Sequence, residues 1–180
     1  MKPSCALATA LVLAGLVAAP VSGARAAVGV RMPLADLLAD SVLVVRGTVE
    51  GATAFLDDQT GRVFTRHTVR VSETFKGTRV ETVTVVTMGG ELPDIGQLVP
   101  GEARLAKGED VVVCLKQDRD RDYYVTAMAQ GKFSVVKRDG AEVLVRDLKG
   151  LLLLGEKGKG QEKEEISLPD FRKVLGGVVK

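Results

Sequence analysis

The chain has 180 residues, of which 46% are hydrophobic, and this length and composition suit a single domain with a sizeable aliphatic core. Lys and Arg number 25 against 23 Asp and Glu, so the formal net charge of +2 argues against a general attraction to nucleic acid or anionic membranes. A single histidine and two cysteines exclude a zinc site built from clusters of these residues.

The N-terminus has the organisation of a secretory signal peptide. Lys2 precedes an apolar run at residues 5–19, and residues 24–26 read Ala-Arg-Ala, the small-x-small pattern of a cleavage site. The run of about 15 residues is shorter than the roughly 20 that a membrane-spanning helix needs. We therefore predict a signal peptide over residues 1–26 and an exported protein, periplasmic or extracellular, with no stable membrane insertion after cleavage.

Loss of that segment changes the charge and cysteine arguments. Lys2, Arg25 and Cys5 leave with it, so the remaining chain has 23 basic and 23 acidic side chains and one cysteine, Cys114. A balanced charge gives no reason to expect nucleic acid as a partner. One cysteine cannot close an internal disulfide, and Cys114, inside a strand-like run, is predicted to be a buried, inert thiol.

A short helix and a long strand begin the predicted domain. Leucines at helical spacing predict a helix within residues 32–40. Residues 41–58 form a long β run in which Gly47 and Gly51 predict a bend or a bulge. Turn residues at 57–61 then lead to a second long strand.

The second strand alternates with period two. Val63, His67 and Val69 share its inner face, while Phe64 and Arg66 lie on the wetter outer face. A third alternating strand follows at the run "RVETVTVVTM".

The rest of the chain continues in strands and ends in a helix. The runs "EDVVVCLKQ" and "YYVTAMAQGKF" are predicted to pair, and Asp139-Gly140 predicts a tight hairpin between two β-branched runs. Residues 155–166, almost entirely polar, predict a charged flexible linker. Residues 167–180 predict a short amphipathic helix with a capping box at its start, ended early by Gly176 and Gly177.

The fold class that these patterns favour is mainly β. Short strands separated by turns, one long Gly-bent strand and one long loop are typical of a small antiparallel barrel. We predict an OB-like, partly open barrel over residues 27–154, with short helices flanking it at both ends.

Templates for catalysis fail on this sequence. There is no G-x-S-x-G motif, residues 150–155 lack the Lys and Ser/Thr of a phosphate loop, and the acidic run at residues 118–124 lacks the Gly and Glu of an EF-hand. We therefore predict no catalytic residue, no cofactor and no bound metal. A hydrolase with an unrecognised site around His67 stays open, because a Ser-His-Asp arrangement can assemble through tertiary contacts.

Two interaction surfaces remain as candidates. The loop from Met88 to Glu109 is longer than most structureless connections, and its candidate binding residues are Gly89, Gly90, Glu91 and Asp94. Apolar residues such as Leu98 and Leu105 are expected to pin this loop to the barrel. The second candidate is a strand face formed by Arg66, His67, Tyr123 and Tyr124, since barrels that bind oligosaccharides or nucleic acids use Arg and aromatic residues in this way.

A resemblance supports the barrel prediction. The segments "LADLLADSVLVVRGTVE", "GRVFTRHTVRVSETFKG", "VTVVTMGGEL" and "YYVTAMAQGKFSV" resemble a group of exported bacterial proteins of unknown function, over about residues 34–136. More distantly, the order of "ADSVLVVRGTV", "VSETFKG" and "GEDVVVCL" is similar to the OB-like barrel of tissue metalloproteinase inhibitors and netrin-like modules. Those inhibitors bind the protease zinc through an N-terminal Cys. Here Ala27 holds that position, so the resemblance implies the barrel and not the inhibitory mechanism.

Three hypotheses follow for function. The leading one is a non-enzymatic, exported barrel that binds a protein or a cell-envelope component. The second is an inhibitor or partner of a secreted protease, as the distant resemblance implies. The third is the hydrolase around His67.

Overall fold

The computed structural model describes residues 26–119, 121–154 and 162–178. This part of the chain is mainly β, with two helices, α1 (Leu34–Asp40) and α2 (Leu168–Val178), and a single 3₁₀ turn at Met128–Gly131. The strands are β1 (Ala27–Val30), β2 (Leu43–Asp57), β3 (Arg62–Lys76), β4 (Thr82–Met88), β5 (Gly90–Glu91), β6 (Gly96–Gln97), β7 (Asp110–Gln117), β8 (Tyr123–Val125), β9 (Lys132–Arg138), β10 (Ala141–Asp147), β11 (Leu151–Leu154) and β12 (Lys163–Ser167).

Five strands pair around a ring in the order β7-β2-β3-β4-β8, and β8 returns to β7. Four of the pairings are antiparallel and the fifth, β4 with β8, is parallel. A ring with an odd number of strands cannot alternate direction throughout, so one parallel pair must occur. The partly open barrel with flanking helices is confirmed, and the expectation of a purely antiparallel sheet is wrong for this reason.

The ring is open on one side because β7 divides its second edge between two partners. Leu115 to Gln117 pair with β8, whereas Val111 to Val113 pair with β9. The sheet therefore branches at β7 into a wing of β9, β10 and β12. In a separate two-stranded sheet, β1 pairs in parallel with β11.

The start of β2 (residues 43–45) and most of β7 (residues 111–115) are buried on both faces, which explains why these stretches are apolar without interruption. Alternate residues enter two separate cores. The inner core fills the barrel and is aliphatic: Leu43, Val45, Val49, Val69, Val83, Val85, Ala103, Leu105, Val111, Val113, Leu115 and Val125. The outer core lies beneath the two helices: Leu37, Leu38, Val44, Val112, Cys114, Phe133, Leu144, Leu168, Phe171 and Leu175.

Glycines bend β2 as the sequence predicts. The pairing of β2 with β3 shifts register beside Gly47 and again before Gly51. At Gly47 a Cβ atom would lie 2.2 Å from the Arg70 carbonyl oxygen, so no other residue fits there without moving β3. These bulges bend β2, so that its first half pairs with β7 in the barrel and its second half extends beyond β7 as a hairpin with β3.

The hairpin between β9 and β10 is also confirmed. Asp139 and Gly140 have φ of 50° and 80°, the two positive values that a type I′ turn requires. Half of the predicted capping box at α2 is present: the Ser167 hydroxyl accepts the Asp170 N–H (3.2 Å), while the Asp170 carboxylate accepts from that hydroxyl (2.6 Å) and not from the Ser167 backbone N–H.

Two predictions about the C-terminal part need correction. Residues 163–166, assigned to the flexible linker, belong to β12, which pairs with β10 along one side as the outer strand of the wing. Helix α2 does not end early at Gly176 and Gly177 but continues to Val178, whose side chain packs against the outer core. Tertiary packing here outweighs the low helix propensity of glycine.

The predicted signal peptide at residues 1–25 and the linker residues 155–161 lie outside the described residues. Within the described ranges, neither helix is long and apolar enough to cross a membrane.

Candidate binding site

The inner face of the barrel becomes polar at one end. Along β3 the inward residues change from Val69 to His67 and Thr65, and Thr65 stands opposite Thr87 of β4. His67 is 6% exposed and Thr87 4% exposed, so both belong to the barrel interior. The prediction that His67 lies on the inner face is confirmed.

The loop from Met88 to Glu109 forms the roof over this polar end. Its strands β5 and β6 make a small hairpin, and two bonds fix the hairpin to β3: the Gly89 N–H donates to the Val63 carbonyl (2.7 Å), and the Val63 N–H donates to Gln97 Oε1 (2.8 Å). Farther along, Leu105 is buried in the inner core, as predicted, whereas Leu98 is 75% exposed and does not pin the loop.

Gly89 and Gly90 allow the roof to approach the barrel closely. Both have positive φ (89° and 146°). A Cβ atom on Gly90 would lie 2.4 Å from Thr65 Oγ1, and one on Gly89 would lie 2.6 Å from the Gln97 carbonyl oxygen. The pair therefore serves close backbone packing.

Between the roof and the strand ends lies a cavity of about 220 Å³. Its polar lining combines three side chains of the barrel with three of the roof: Thr65, His67, Thr87, Gln97, Glu102 and Arg104. We call this cavity the His67 pocket.

His67 is the group in the pocket that has an unused hydrogen-bonding atom. Its Nε2 lies 2.9 Å from Thr87 Oγ1, while Nδ1 is buried and has no hydrogen-bond partner among the described residues. Burial lowers the pKa of His67 below its ordinary value of 6.5, so the ring is neutral at pH 7. A buried polar atom without a partner costs free energy, roughly 1–3 kcal/mol, which a bound group that pairs with it would recover.

Glu102 provides the acidic group of the lining. Burial raises the pKa of its carboxyl, although the backbone N–H of Ala103 donates to it (3.0 Å) and opposes that shift. The pKa of His67 is lowered by burial, and no hydrogen bond joins Glu102 to the ring among the described residues.

Neither of the two predicted binding surfaces, the loop residues and the strand face, is found intact, because the structure divides each of them. Of the loop residues, Gly89 and Gly90 line the pocket, whereas Glu91 and Asp94 are exposed on the β5–β6 hairpin and do not line it.

The predicted strand face is divided as well. The register places Arg66, Val86 and Tyr124 in one row across three strands, and places His67, Val85 and Tyr123 in the next row. Adjacent rows point to opposite sides of a sheet. His67 and Tyr123 therefore face the interior, Arg66 and Tyr124 face outward, and the four residues cannot form one surface.

Arg66 instead belongs to an aromatic group on the outside of the β2–β3 hairpin. Its guanidinium lies 3.9 Å from the centre of the Phe55 ring, and Phe55 stacks on Phe64 at 5.9 Å. Alternation along β3 already placed Phe64 beside Arg66. Phe55 was missed, because its contact depends on the register between β2 and β3.

Other functional residues were missed for similar reasons. Glu102 lies in an irregular segment without periodicity, so no pattern directs its side chain toward the pocket. Thr87 was detectable in principle, since it continues the inward series of Val83 and Val85 along β4.

A larger concavity, of about 570 Å³, lies at the other end of β3 and is lined by Glu73, Thr74, Arg79 and Glu81 among others. Thr74 Oγ1 is buried there without a hydrogen-bond partner. Ser72, Gly77 and Arg79 on its walls are exposed, and both signs of charge are present. The His67 pocket is the better candidate because its unpartnered polar atom belongs to a titratable side chain that is almost fully buried.

A second polar cluster joins a serine to a lysine inside the wing. Lys132 Nζ donates to Ser134 Oγ (2.9 Å), and both side chains donate to the Glu109 carboxylate. Burial works against ionisation of Glu109, but these two donors prevail and lower its pKa. The ion pair holds the lysine as a hydrogen-bond donor, which does not suit a general base.

Among residues 26–119, 121–154 and 162–178, no three His, Cys, Asp or Glu side chains form a group that could hold a metal ion. In comparisons with known proteins, no family model matched the sequence and no curated protein showed significant similarity to it.

Proposed function

We propose that this chain is a non-enzymatic, exported binding module, and that the His67 pocket takes a polar group of a protein or of a cell-envelope component. The observation that carries the proposal is that His67 lines a cavity and that its buried Nδ1 atom has no partner among the described residues. Export rests on the signal-like N-terminus of the sequence.

The geometry does not favour the hydrolase alternative. A histidine that acts as a general base is held by a carboxylate on its second ring nitrogen. In the His67 pocket the hydroxyl of Thr87 is bonded to one nitrogen, and the other nitrogen has no carboxylate partner in the described chain.

Nor does the geometry favour the protease-inhibitor alternative. A chelating N-terminus needs a free amine and an exposed end, whereas the Ala27 N–H donates to the Gly150 carbonyl (2.9 Å) and Ala27 belongs to β1.

The proposal can be tested by NMR, because the only histidine of the chain gives an unambiguous imidazole signal. Purified protein would be titrated with N-acetylglucosamine, glycerol 3-phosphate, glycinamide and acetate, which represent glycans, headgroups and polypeptides. We expect one of these classes to shift the ring nitrogens of His67 and the amides of Gly89 and Gly90 in a saturable way.

Matched variants give the controls. His67→Gln and Glu102→Gln should weaken the response, whereas Asp94→Asn, on the exposed hairpin, should leave it unchanged. The proposal fails if no probe shifts these signals at millimolar concentration, or if the shifts of the Gly89 and Gly90 amides persist unchanged in His67→Gln.

A further inference from the structure

The far end of β2 has one edge without a strand partner in the described chain. Pairing with β7 covers Leu43 to Thr48 and ends after Val49, whose N–H and carbonyl bond to Glu109 and Gly108. Residues 51–56 pair with β3 on one side only. We call their other side the β2 edge.

The direction of the backbone groups along the β2 edge follows from Val63. Both its N–H and its carbonyl bond to the roof, away from β2. Leu56 stands directly opposite Val63, so these two residues do not bond to each other, and the N–H and carbonyl of Leu56 also point away from β3.

The alternation between residues whose backbone groups point toward β3 and residues whose groups point away from it continues along the strand, because the register is regular from Ala52 to Asp57. Pairs without mutual bonds recur at every second residue, so Ala54 and Ala52 present their backbone groups as Leu56 does. Three donors and three acceptors therefore lie in line along the β2 edge, and none of them has a bond to another described segment.

Natural edge strands are usually protected by charge, proline or a bulge. The wing ends in β12, whose sequence "KEEIS" is charged. The β2 edge reads "GATAFL", without charge or proline, and its register shifts lie before Gly51. The chain thus protects one outer edge of its sheet and leaves the other available.

We propose that the β2 edge binds an extended segment of a partner polypeptide by strand addition, and that this segment has basic residues on both sides of its paired residues. The charge argument comes from the two ends of the edge: Glu50, which is already paired with Arg70 of β3, precedes residues 51–56, and the acids Asp57 and Asp58 follow them, Asp57 accepting from Thr60 within the turn. Strand addition supplies backbone bonds to the three available residues, and the flanking Lys or Arg meets the acids.

Charge also argues against a second copy of this chain as the occupant, although the Arg70 partner of Glu50 offsets part of the repulsion. An antiparallel pairing of two β2 edges centred on Ala54 would set Glu50 opposite Asp58 at both ends. Like charges directly opposite destabilise a strand pair. Basic flanks on a different polypeptide remove that repulsion.

The probe is the peptide acetyl-Lys-Val-Thr-Val-Thr-Val-Lys-amide, titrated into the purified protein. We expect slowed amide exchange at Ala52, Ala54 and Leu56, and no change at Thr53 and Phe55, whose amides already bond to β3. Methylation of alternate peptide nitrogens provides the matched controls: the set that faces the β2 edge should weaken binding at least about tenfold, and the complementary set should leave it nearly unchanged.

Protein variants test the charge argument and separate this inference from the proposed function. Asp58→Asn should weaken binding about two- to fivefold, as expected for an exposed ion pair, and His67→Gln should not affect it. Loss of peptide binding in His67→Gln would assign the peptide to the His67 pocket instead.

The inference is overturned if the peptide does not bind at millimolar concentration, if both methylated sets bind equally, or if a peptide with Asp at its ends binds as well. Sedimentation of the free protein measures its oligomeric state and so tests whether a second copy occupies the β2 edge. A dimer that Ala54→Pro abolishes would assign the β2 edge to a second copy.

Discussion

The outer and inner faces of β2 and β7 differ in what covers them. On the outer face, α1 and α2 cover the strands, aromatic rings fill the core, and the ends are closed by ion pairs such as that of Arg46 with Asp110 and Glu142. On the inner face, an aliphatic core leads to a polar cavity where the buried Nδ1 of His67 has no described partner. Under the proposed function, the outer face serves stability and the open end of the inner face serves recognition.

The largest loss of stability should come from a substitution in the outer core. Phe171 is fully buried, and the edges or faces of Phe75 and Phe133 meet its ring at centroid distances of 5.7 Å. Phe171→Ala should lower the free energy of unfolding by about 3–5 kcal/mol, measured by urea denaturation. The response of His67 to the probes should survive in the folded fraction. If that response were lost at unchanged stability, the division between the two faces would be wrong.

A smaller effect is expected at the roof of the inner face. Gly90→Ala would force a Cβ atom against Thr65 Oγ1 at positive φ, and should cost about 1–3 kcal/mol while shifting the His67 ring signals. Gly96→Ala is the matched control in the same hairpin, since nothing lies within 4 Å of its Cβ position. Equal effects of the two changes in thermal denaturation would show that close packing of the roof at Gly90 is unimportant.

The smallest effect concerns pH. The pKa of His67 is lowered from 6.5 by burial, so the unfolded chain takes up a proton at a pH where the folded chain does not. Stability contributed by the neutral ring is complete above the unfolded pKa, falls as the pH drops through it, and levels off below the folded pKa. Unfolding curves at pH 8 and pH 5.5 should show this loss in the wild type.

His67→Gln is the control for that measurement, because glutamine does not titrate. The carboxylates that Glu102 and Glu109 contribute are common to both proteins, so the difference between the two pH profiles isolates the histidine. Identical profiles would mean that the ring is solvated and that the pocket does not bury it.

Sequence patterns predicted the parts of this molecule that depend on local chemistry. Period-two alternation placed His67 inward and Phe64 outward, Gly47 and Gly51 marked the bulges, and Asp139-Gly140 marked a hairpin. Burial of Cys114 was equally predictable from its valine-rich strand, and it raises the pKa of that thiol to about 12, as befits an inert group.

The remaining features depend on contacts between distant segments. The parallel pair of β4 and β8 results from closing a ring of five strands, which no local pattern encodes. Placement of Glu102 in the lining of the His67 pocket depends on an irregular loop, and the split between Arg66 and His67 depends on register across three strands. Residues 163–166 have a linker-like composition and become a strand because β10 offers them an edge.

The most direct test is the nitrogen NMR titration of the His67 ring in the free protein and with the probe panel. The open inner face predicts a neutral ring at pH 7, a pKa below 6.5, and ring-nitrogen shifts that saturate with one class of probe. A pKa at or above 6.5, with ring signals indifferent to every probe, would contradict the assignment of this end of the barrel to binding.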